Sequence, residues 1–437
     1  MNERELILDC LIEILEKGSY TDRTLSDLLF KYDYLDKHTK SLIAREITGV
    51  VENKILIDEI INLDSKTKVK KMKPLIRNLM RMSVYEIYFM NSIKDHATVN
   101  ESVKLCKKRG LGGLSGFVNG VLRSIIRRKE ALPEGQQFPI TDERVINSIP
   151  QEVADVLKDS IGEEWSTCVA SMMTQDGMTI RANENVVSEK ELVKLLEAQG
   201  ATVTKVVLRN VLGKDISALS VKGIGSLEKN MEFIKGGFYI QDLSSMAVAI
   251  VAAPKAGDNV IDVCAAPGGK ATHMAQLLDG TGMVDARDLT EYKVSLMQEN
   301  KTRLNLSNLK VKVYDATELD ESVIDYADIV IADLPCSGLG VIGKKPDIKY
   351  NFTKEKGLEL AKLQSEILDV VCKYVKPSGK LVYSTCTINK AENEDNVLSF
   401  LERHADFVLT GEKQILPEKE IGNDGFFIAT FERRDHD

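Results

Sequence analysis

Two stretches of the chain each place a cysteine directly after an apolar run of the kind that forms a buried strand. One ends in Asp333-Leu-Pro-Cys336, and the other in Ser384-Thr-Cys386. A free cysteine is usually a small core residue, and this expectation applies to Cys10, Cys106, Cys168 and Cys372. Two cysteines at neighbouring strand ends over one cleft indicate chemistry instead, because a thiolate is both a nucleophile and a competent leaving group.

Such cysteines suit the methylation of cytosine at carbon 5, which is a poor nucleophile and carries no acidic proton. Addition of a thiolate to carbon 6 makes the ring an enamine, so that carbon 5 can attack a methyl sulfonium. Loss of the carbon 5 proton then expels the thiolate. Asp333 could hydrogen-bond the amino group and ring nitrogen 3 of an extruded base, which would favour the addition.

A glycine-rich segment follows an earlier apolar strand, Val260-Ile-Asp-Val263. The segment consists of Cys264, Ala265, Ala266, Pro267, Gly268, Gly269 and Lys270. Paired glycines let the backbone approach a ligand closely. Such a turn fits a dinucleotide, a nucleotide phosphate or S-adenosylmethionine, or it serves only as a turn. The dinucleotide fingerprint and the P-loop spacing are both absent.

Aspartates follow the next two strands. Asp288 lies where an acid of this architecture accepts hydrogen bonds from ribose hydroxyls, and Asp315 could accept from an adenine amino group. Either aspartate alone fits a helix cap equally well. Glycines and acids at three successive strand ends together favour an adenosyl ligand.

The elements that would position these residues alternate between strand and helix. Apolar strands are expected at 260–263, 282–286, 311–314, 329–332 and 381–384. This alternation predicts a doubly wound parallel sheet, an α/β Rossmann-like domain over residues 236–437. Ligands bind at the carboxyl ends of such strands, where all the residues above fall.

The upstream part of the chain predicts two further domains. Residues 1–130 repeat apolar side chains every three or four positions, which predicts an all-α domain. Residues 131–145 contain two prolines and a glycine among polar residues and should be a linker. Residues 146–235 mix helices with short alternating strands, as in a small α+β unit. The chain is therefore predicted to be multidomain.

Composition limits the function classes. The 437 residues are 43% hydrophobic and 28% charged, which is typical of a globular protein. The net charge is -8, yet residues 66–130 hold sixteen Lys and Arg against four acids, which favours a phosphate-binding surface over a merely solvated face. Seven cysteines without a C-x-x-C pair, and five histidines, indicate neither disulfides nor a metal site. Without an export signal or a membrane span, the free thiols fit the cytoplasm.

The motifs together resemble the Nop/Sun family of RNA 5-methylcytosine methyltransferases over nearly the whole chain. They are Phe238-Tyr-Ile-Gln-Asp-Leu-Ser-Ser245, Asp262 to Lys270, Asp333 to Gly340, Lys345-Pro-Asp-Ile-Lys349, and Ser384 to Thr387 with Glu392-Asn-Glu394. Upstream, Thr179-Ile-Arg-Ala-Asn183 is similar to the family's RNA-binding segment. His96-Ala-Thr-Val-Asn-Glu-Ser-Val103 and Phe117-Val-Asn-Gly-Val-Leu-Arg123 resemble a NusB-type RNA-binding domain.

The resemblance implies S-adenosylmethionine as cofactor, 16S ribosomal RNA as partner rather than DNA or a membrane, and a monomer. It implies that Cys386 attacks the base and that Cys336 assists product release. It also implies that the cofactor is held by Cys264 to Lys270, Asp288, Asp315 and Asp333; Asp288 matches the family's Ala-x-Asp better than the nearby Asp285.

Three other interpretations fit the motifs less well. A DNA cytosine methyltransferase would attack with Cys336 and would need a Glu-Asn-Val motif after the following strands, where none occurs. An RNA-binding or antitermination factor with an inactive C-terminal half would leave the strand-end residues unexplained. A nicotinamide dehydrogenase lacks its fingerprint.

Overall fold

A computed structural model describes residues 3–173 and 177–435. The chain forms two compact units, of which the first comprises Met1–Asp155 with Ile342–Asn351. The second comprises Val156–Val341 with Phe352–Asp437. The first unit therefore includes ten residues from within the range expected for the catalytic domain.

The α-helices of the described residues are distributed over both units. In chain order they are α1 (Glu3–Lys17), α2 (Thr21–Lys31), α3 (Lys37–Glu52), α4 (Lys54–Asp64), α5 (Pro74–Phe89), α6 (Asp95–Lys108), α7 (Ser115–Glu130), α8 (Glu143–Ile146), α9 (Gln151–Ile161), α10 (Trp165–Met173), α11 (Glu189–Ala198), α12 (Met231–Ile234), α13 (Leu243–Ala252), α14 (Gly269–Leu277), α15 (Glu291–Arg303), α16 (Ile348–Asn351), α17 (Lys354–Val371) and α18 (Glu394–Arg403). None of them is long and apolar enough to span a lipid bilayer.

The first unit is helical, as predicted, and α5 lies at its centre. Pro74 starts this helix, where a missing backbone N–H costs nothing, and most of the residues after Leu75 are buried. The apolar faces of α1, α3, α4, α6 and α7 pack around it in one core. Local sequence signals also set helix starts, as where the Asp36 carboxylate accepts a hydrogen bond from Thr39 N at α3.

The strands belong to two sheets in the second unit. They are β1 (Met178–Ala182), β2 (Thr202–Val211), β3 (Lys214–Lys222), β4 (Phe238–Ile240), β5 (Asn259–Asp262), β6 (Met283–Asp288), β7 (Leu309–Val313), β8 (Ala327–Asp333), β9 (Val375–Thr385), β10 (Phe407–Ile415) and β11 (Phe426–Arg433). The smaller sheet is antiparallel with the order β2-β3-β1-β4.

The larger sheet has the order β10-β11-β9-β8-β5-β6-β7. Strands β5 to β9 run parallel, and β10 and β11 add an antiparallel edge. Val260 and Ile261 point into two different apolar cores, so helices cover both faces of the sheet. The predicted α/β Rossmann-like class is confirmed. The strand order reverses between β5 and β8, and ligands of open parallel sheets bind at such a switch point.

Candidate active site

The register between β8 and β9 brings the two predicted cysteines together. Asp333, the last residue of β8, pairs with Ser384 across the parallel ladder. The two loops that follow leave the sheet side by side, and Cys336 Sγ lies 3.2 Å from Cys386 Sγ. Gly340 N donates to Cys386 O at 3.0 Å, which closes the pair of loops. Neighbouring strand ends therefore supply two thiols to one place, as the sequence predicts.

Cys336 holds its proton more firmly than an ordinary thiol does. The hydrogen bond to Cys386 and burial both raise the pKa of Cys336 well above its ordinary value, and the charge of Glu392 adds to this. Cys336 thus keeps its proton, and its Sγ lies within hydrogen-bond distance of Cys386 Sγ. The four cysteines expected in the core, Cys10, Cys106, Cys168 and Cys372, are indeed buried.

A partly buried ion pair lies near Cys386. Lys270 Nζ is 2.7 Å from Asp333 Oδ2, and Ser384 Oγ donates to Asp333 Oδ1 at 2.7 Å. Burial opposes the charge of Lys270, but attraction to Asp333 outweighs it and raises the lysine pKa, with a smaller contribution from Cys386. A fixed ammonium group near a thiol favours the thiolate. Lys270 therefore supports ionisation of Cys386.

The glycine-rich segment turns sharply between β5 and α14. Gly268 has φ +105°, a left-handed conformation that side chains other than glycine rarely adopt. A Cβ on Gly269 would lie 3.4 Å from the Tyr239 ring and 3.5 Å from Gln241 Nε2. Gly268 therefore fixes the shape of the turn, and Gly269 packs closely against Tyr239 and Gln241.

The two aspartates predicted to bind the adenosyl group occupy different environments. Asp288 is buried; its Oδ2 accepts from Ala266 N at 3.0 Å and its Oδ1 lies 2.9 Å from Lys293 Nζ. Asp285, the alternative, pairs with Arg287 on the same strand. Asp315 accepts from Thr317 N and Oγ1, and these bonds lower its pKa. Asp288 thus contacts the glycine turn directly, whereas Asp315 stabilises the local turn that follows β7.

Asp262 is a site residue that was not singled out from the sequence. It ends β5 and is fully buried, and burial together with the negative charge of Asp333 raises its pKa to about 8. Its place directly before the glycine-rich segment was the available signal. Asp262, Asp288 and Asp333 thus surround one turn with carboxyl groups. These carboxyl groups fit a ligand that carries a sulfonium, an ammonium and ribose hydroxyls, as S-adenosylmethionine does.

Arg181, in the segment expected to bind RNA, is buried beneath the glycine turn. Its Nη1 donates to Gly269 O at 3.0 Å, its Nη2 to Thr272 Oγ1 at 3.1 Å and its Nε to Gln276 Oε1 at 3.0 Å. Burial lowers the pKa of the guanidinium to about 9. This arginine therefore supports the turn and is not available to a phosphate.

The basic region of the helical unit is partly neutralised. Seven of the sixteen cations within 66–130 form ion pairs, most of them with acids of α1 and α4 that lie outside that window. The exposed cations of this region include those in the segment around the single turn Val69–Lys71. Its lysines are Lys66, Lys68, Lys70, Lys71 and Lys73, and all are exposed. We refer to these five residues as the lysine segment.

Comparisons with known proteins identify relatives of both parts of the chain. The family model described as 16S rRNA methyltransferase RsmB/F matches residues 249–432, and that of the NusB family matches residues 1–127. The probable ribosomal RNA small subunit methyltransferase B of Bacillus subtilis is 32% identical, covering 99% of this chain and 98% of the relative.

Solved structures share the fold. The crystal structure of PH0851 superposes with a TM-score of 0.79 at 24% identity and covers 99% of both chains. NSun6 from Pyrococcus horikoshii, solved with SFG, has a TM-score of 0.56 at 24% identity and covers 66% of this chain and 99% of its own.

The fold and these relatives define an S-adenosylmethionine-dependent methyltransferase that acts on ribosomal RNA of the small subunit. The chain belongs to the RsmB/F family, with a NusB domain preceding the methyltransferase domain.

Proposed function

We propose that this enzyme methylates carbon 5 of a cytosine in 16S ribosomal RNA through a covalent bond between Cys386 and the base. The observation that carries the proposal is the thiol pair, 3.2 Å apart, beside the ion pair of Lys270 and Asp333. An oxygen or nitrogen methyl acceptor would need no such nucleophile.

Each of these residues would have a separate role in the reaction. Cys386 enters as the thiolate and adds to carbon 6, while Asp333 hydrogen-bonds the cytosine and Lys270 balances the negative charge. S-adenosylmethionine supplies the methyl group as an electrophilic sulfonium methyl, which carbon 5 attacks. Cys336 then takes the carbon 5 proton as its own proton passes to the departing sulfur of Cys386. The carbon–sulfur bond breaks, and Cys386 afterwards loses that proton to solvent.

The cofactor contacts are proposed at the positions predicted from sequence, with Asp262 added. The segment from Cys264 to Lys270 would receive the methionine moiety, Asp288 the ribose and Asp315 the adenine. Asp333 would face the positively charged end of the cofactor as a carboxylate, and that charge would also favour ionisation of Asp262, whose pKa burial and Asp333 raise to about 8.

The domains are proposed to divide RNA recognition from catalysis. Residues 1–130 and 146–235, joined by the linker 131–145, would bind RNA, and residues 236–437 would catalyse. We propose free 16S RNA or an early assembly intermediate in the cytoplasm as the substrate, bound by a monomer. The lysine segment would contact phosphates.

The nucleophile is tested by Cys386→Ala, which we expect to abolish methyl transfer from labelled cofactor to 16S RNA. It should also abolish the adduct with an RNA containing 5-fluorocytosine, because the fluorine blocks the final elimination. Cys372→Ala, at a buried core cysteine, is the matched control and should retain the adduct. Full activity of Cys386→Ala would refute the proposal.

The release role is tested by Cys336→Ala. This variant should still attack the base but should remain covalently bound to RNA that contains ordinary cytosine. The complex should appear as a slowly migrating band on a denaturing gel. A variant that turns over normally and retains no RNA would contradict the assignment of Cys336.

A further inference from the structure

We infer that Glu392 is a positioning residue that fastens the Cys336 loop to the Cys386 loop and makes the two thiols chemically unequal. The inference rests on the proposed function, because it assigns a purpose to the order in which the two cysteines act. Glu392 acts through Ser337, the residue that follows Cys336.

The Glu392 carboxylate binds the Cys336 loop through the next residue of that loop. Glu392 lies in the single turn Lys390–Glu392 after β9, and its side chain is fully buried. Its Oε2 accepts from Ser337 N at 2.8 Å, and its Oε1 accepts from Ser337 Oγ at 2.5 Å. One carboxylate on the Cys386 side thus holds both the backbone and the side chain of the residue that follows Cys336.

Two amides complete the carboxylate's surroundings. Gln364 Nε2 donates to Glu392 Oε2 at 3.1 Å and to Pro335 O at 2.8 Å, so it holds the same loop from the other side of Cys336. Asn389 Nδ2 donates to Glu392 Oε1 at 2.9 Å. Four donors therefore face two oxygens. Only an acceptor-only group satisfies all of them as they stand, since a glutamine amide would turn an NH₂ towards two donors.

The charge of Glu392 acts on Cys336. It adds to the hydrogen bond from Cys386 and to burial in raising the pKa of Cys336. On the other side, the Lys270 ammonium interacts with Cys386. The charged and titratable groups that act on Cys336 are Cys386 and Glu392, and the buried Tyr383 hydroxyl also interacts with it. A negative charge beside Cys336 and a positive one beside Cys386 both favour the Cys386 thiolate.

The test reads the two thiols without RNA or cofactor. The full-length protein is alkylated with iodoacetamide from pH 6 to 10, and mass spectrometry quantifies Cys386 and Cys336 separately. The wild type should be labelled mainly at Cys386. In Glu392→Gln the ratio of Cys386 to Cys336 labelling should fall by roughly tenfold, and Cys336 should react at lower pH, because a shift of one pKa unit changes the thiolate fraction about tenfold.

Methylation by Glu392→Gln should slow roughly 10- to 100-fold because the loops are less well aligned. Its cofactor affinity by calorimetry should be unchanged, since Glu392 contacts none of the cofactor residues. Ser337→Ala removes one hydrogen bond from the same carboxylate and should shift the labelling ratio in the same direction by less. Glu402→Gln, on the exposed surface of α18, is the matched control and should match the wild type.

A labelling ratio and pH dependence in Glu392→Gln and Ser337→Ala equal to those of the wild type would overturn the inference. Because the labelling needs no substrate, it remains decisive even if Cys386→Ala shows that the enzyme does not use a covalent adduct. That second result would refute the proposed function and leave the pairing of the loops by Glu392 to be judged on the labelling alone.

Discussion

Replacing Arg181 by methionine should weaken cofactor binding although the guanidinium contacts only the underside of the glycine turn. Methionine has a similar length and fills the buried space without a charge. The turn would then lose the donor that holds Gly269 O, while Thr272 Oγ1 still donates to this carbonyl at 3.2 Å. Gln241 and Gln276 would each lose the arginine as a partner for their side-chain oxygens.

The magnitude follows from these lost bonds. A buried acceptor left unsatisfied costs about 1–3 kcal/mol, so two of them cost about 2–6 kcal/mol. Removing a buried charge offsets part of this cost, which leaves a net loss of about 2–4 kcal/mol. For a unit of this size the loss corresponds to a fall in Tm of roughly 5–15 °C. A loosened turn should also reduce cofactor affinity roughly tenfold, or about 1.4 kcal/mol.

The assay combines calorimetric titration with S-adenosylmethionine and thermal unfolding of the same preparation. Arg209→Met is the matched control, because Arg209 is exposed on β2 and pairs with Asp215 at the surface. That change should alter stability by less than about 0.5 kcal/mol and leave cofactor affinity unchanged. An Arg181→Met protein that binds the cofactor as the wild type does and unfolds at the same temperature would refute this reasoning.

Three further predictions concern other parts of the chain. Burial lowers the pKa of Lys349 to about 7, and its folded-state pKa is therefore below its unfolded value. The free energy of unfolding of the wild type should therefore rise relative to that of Lys349→Met as the pH increases from about 7 towards 10, by up to about 1.4 kcal/mol per pH unit. Urea titrations at each pH measure both values, and parallel pH profiles of the two proteins would contradict this prediction. Changing Lys70 and Lys71 to alanine should weaken RNA binding and leave cofactor affinity unchanged. The slope of the logarithm of the RNA-binding constant against the logarithm of the salt concentration should become less steep by about 0.7–0.9 per lost phosphate contact. An unaltered slope would exclude the lysine segment from the RNA interface. Gly268→Ala should lose cofactor affinity and about 1–3 kcal/mol of stability because of its positive φ, while Gly113→Ala, which has open space around it, should do neither.

Local patterns were sufficient for much of the fold and for placing the proposed site residues at strand ends. Apolar runs alternating with helical periodicity predicted the parallel strands, and the confirmed sheet has each of them. The glycine-rich segment and the strand-end cysteines were identified because strand ends in such a sheet share one edge, so their separation in sequence does not matter.

Other features depended on contacts between distant residues. The cations of 66–130 indicated a phosphate-binding surface, but the packing of α1 and α4 brings acids such as Glu16 and Asp58 to several of them. Arg181 resembled an RNA contact, yet the small sheet buries it under the glycine turn. No local pattern distinguishes a cation paired in the fold from one that faces solvent.

Composition and residue order were enough to indicate a multidomain methyltransferase with two reactive cysteines, because strand, helix and turn preferences act over a few residues. The chemical difference between these cysteines needed the folded chain. The register of β8 against β9 sets the distance between the sulfur atoms, and burial makes the charges of Lys270 and Glu392 strong enough to act on them. Electrostatic effects of this kind depend on separation and on exclusion of water, which exist only after residues far apart in the chain have packed together.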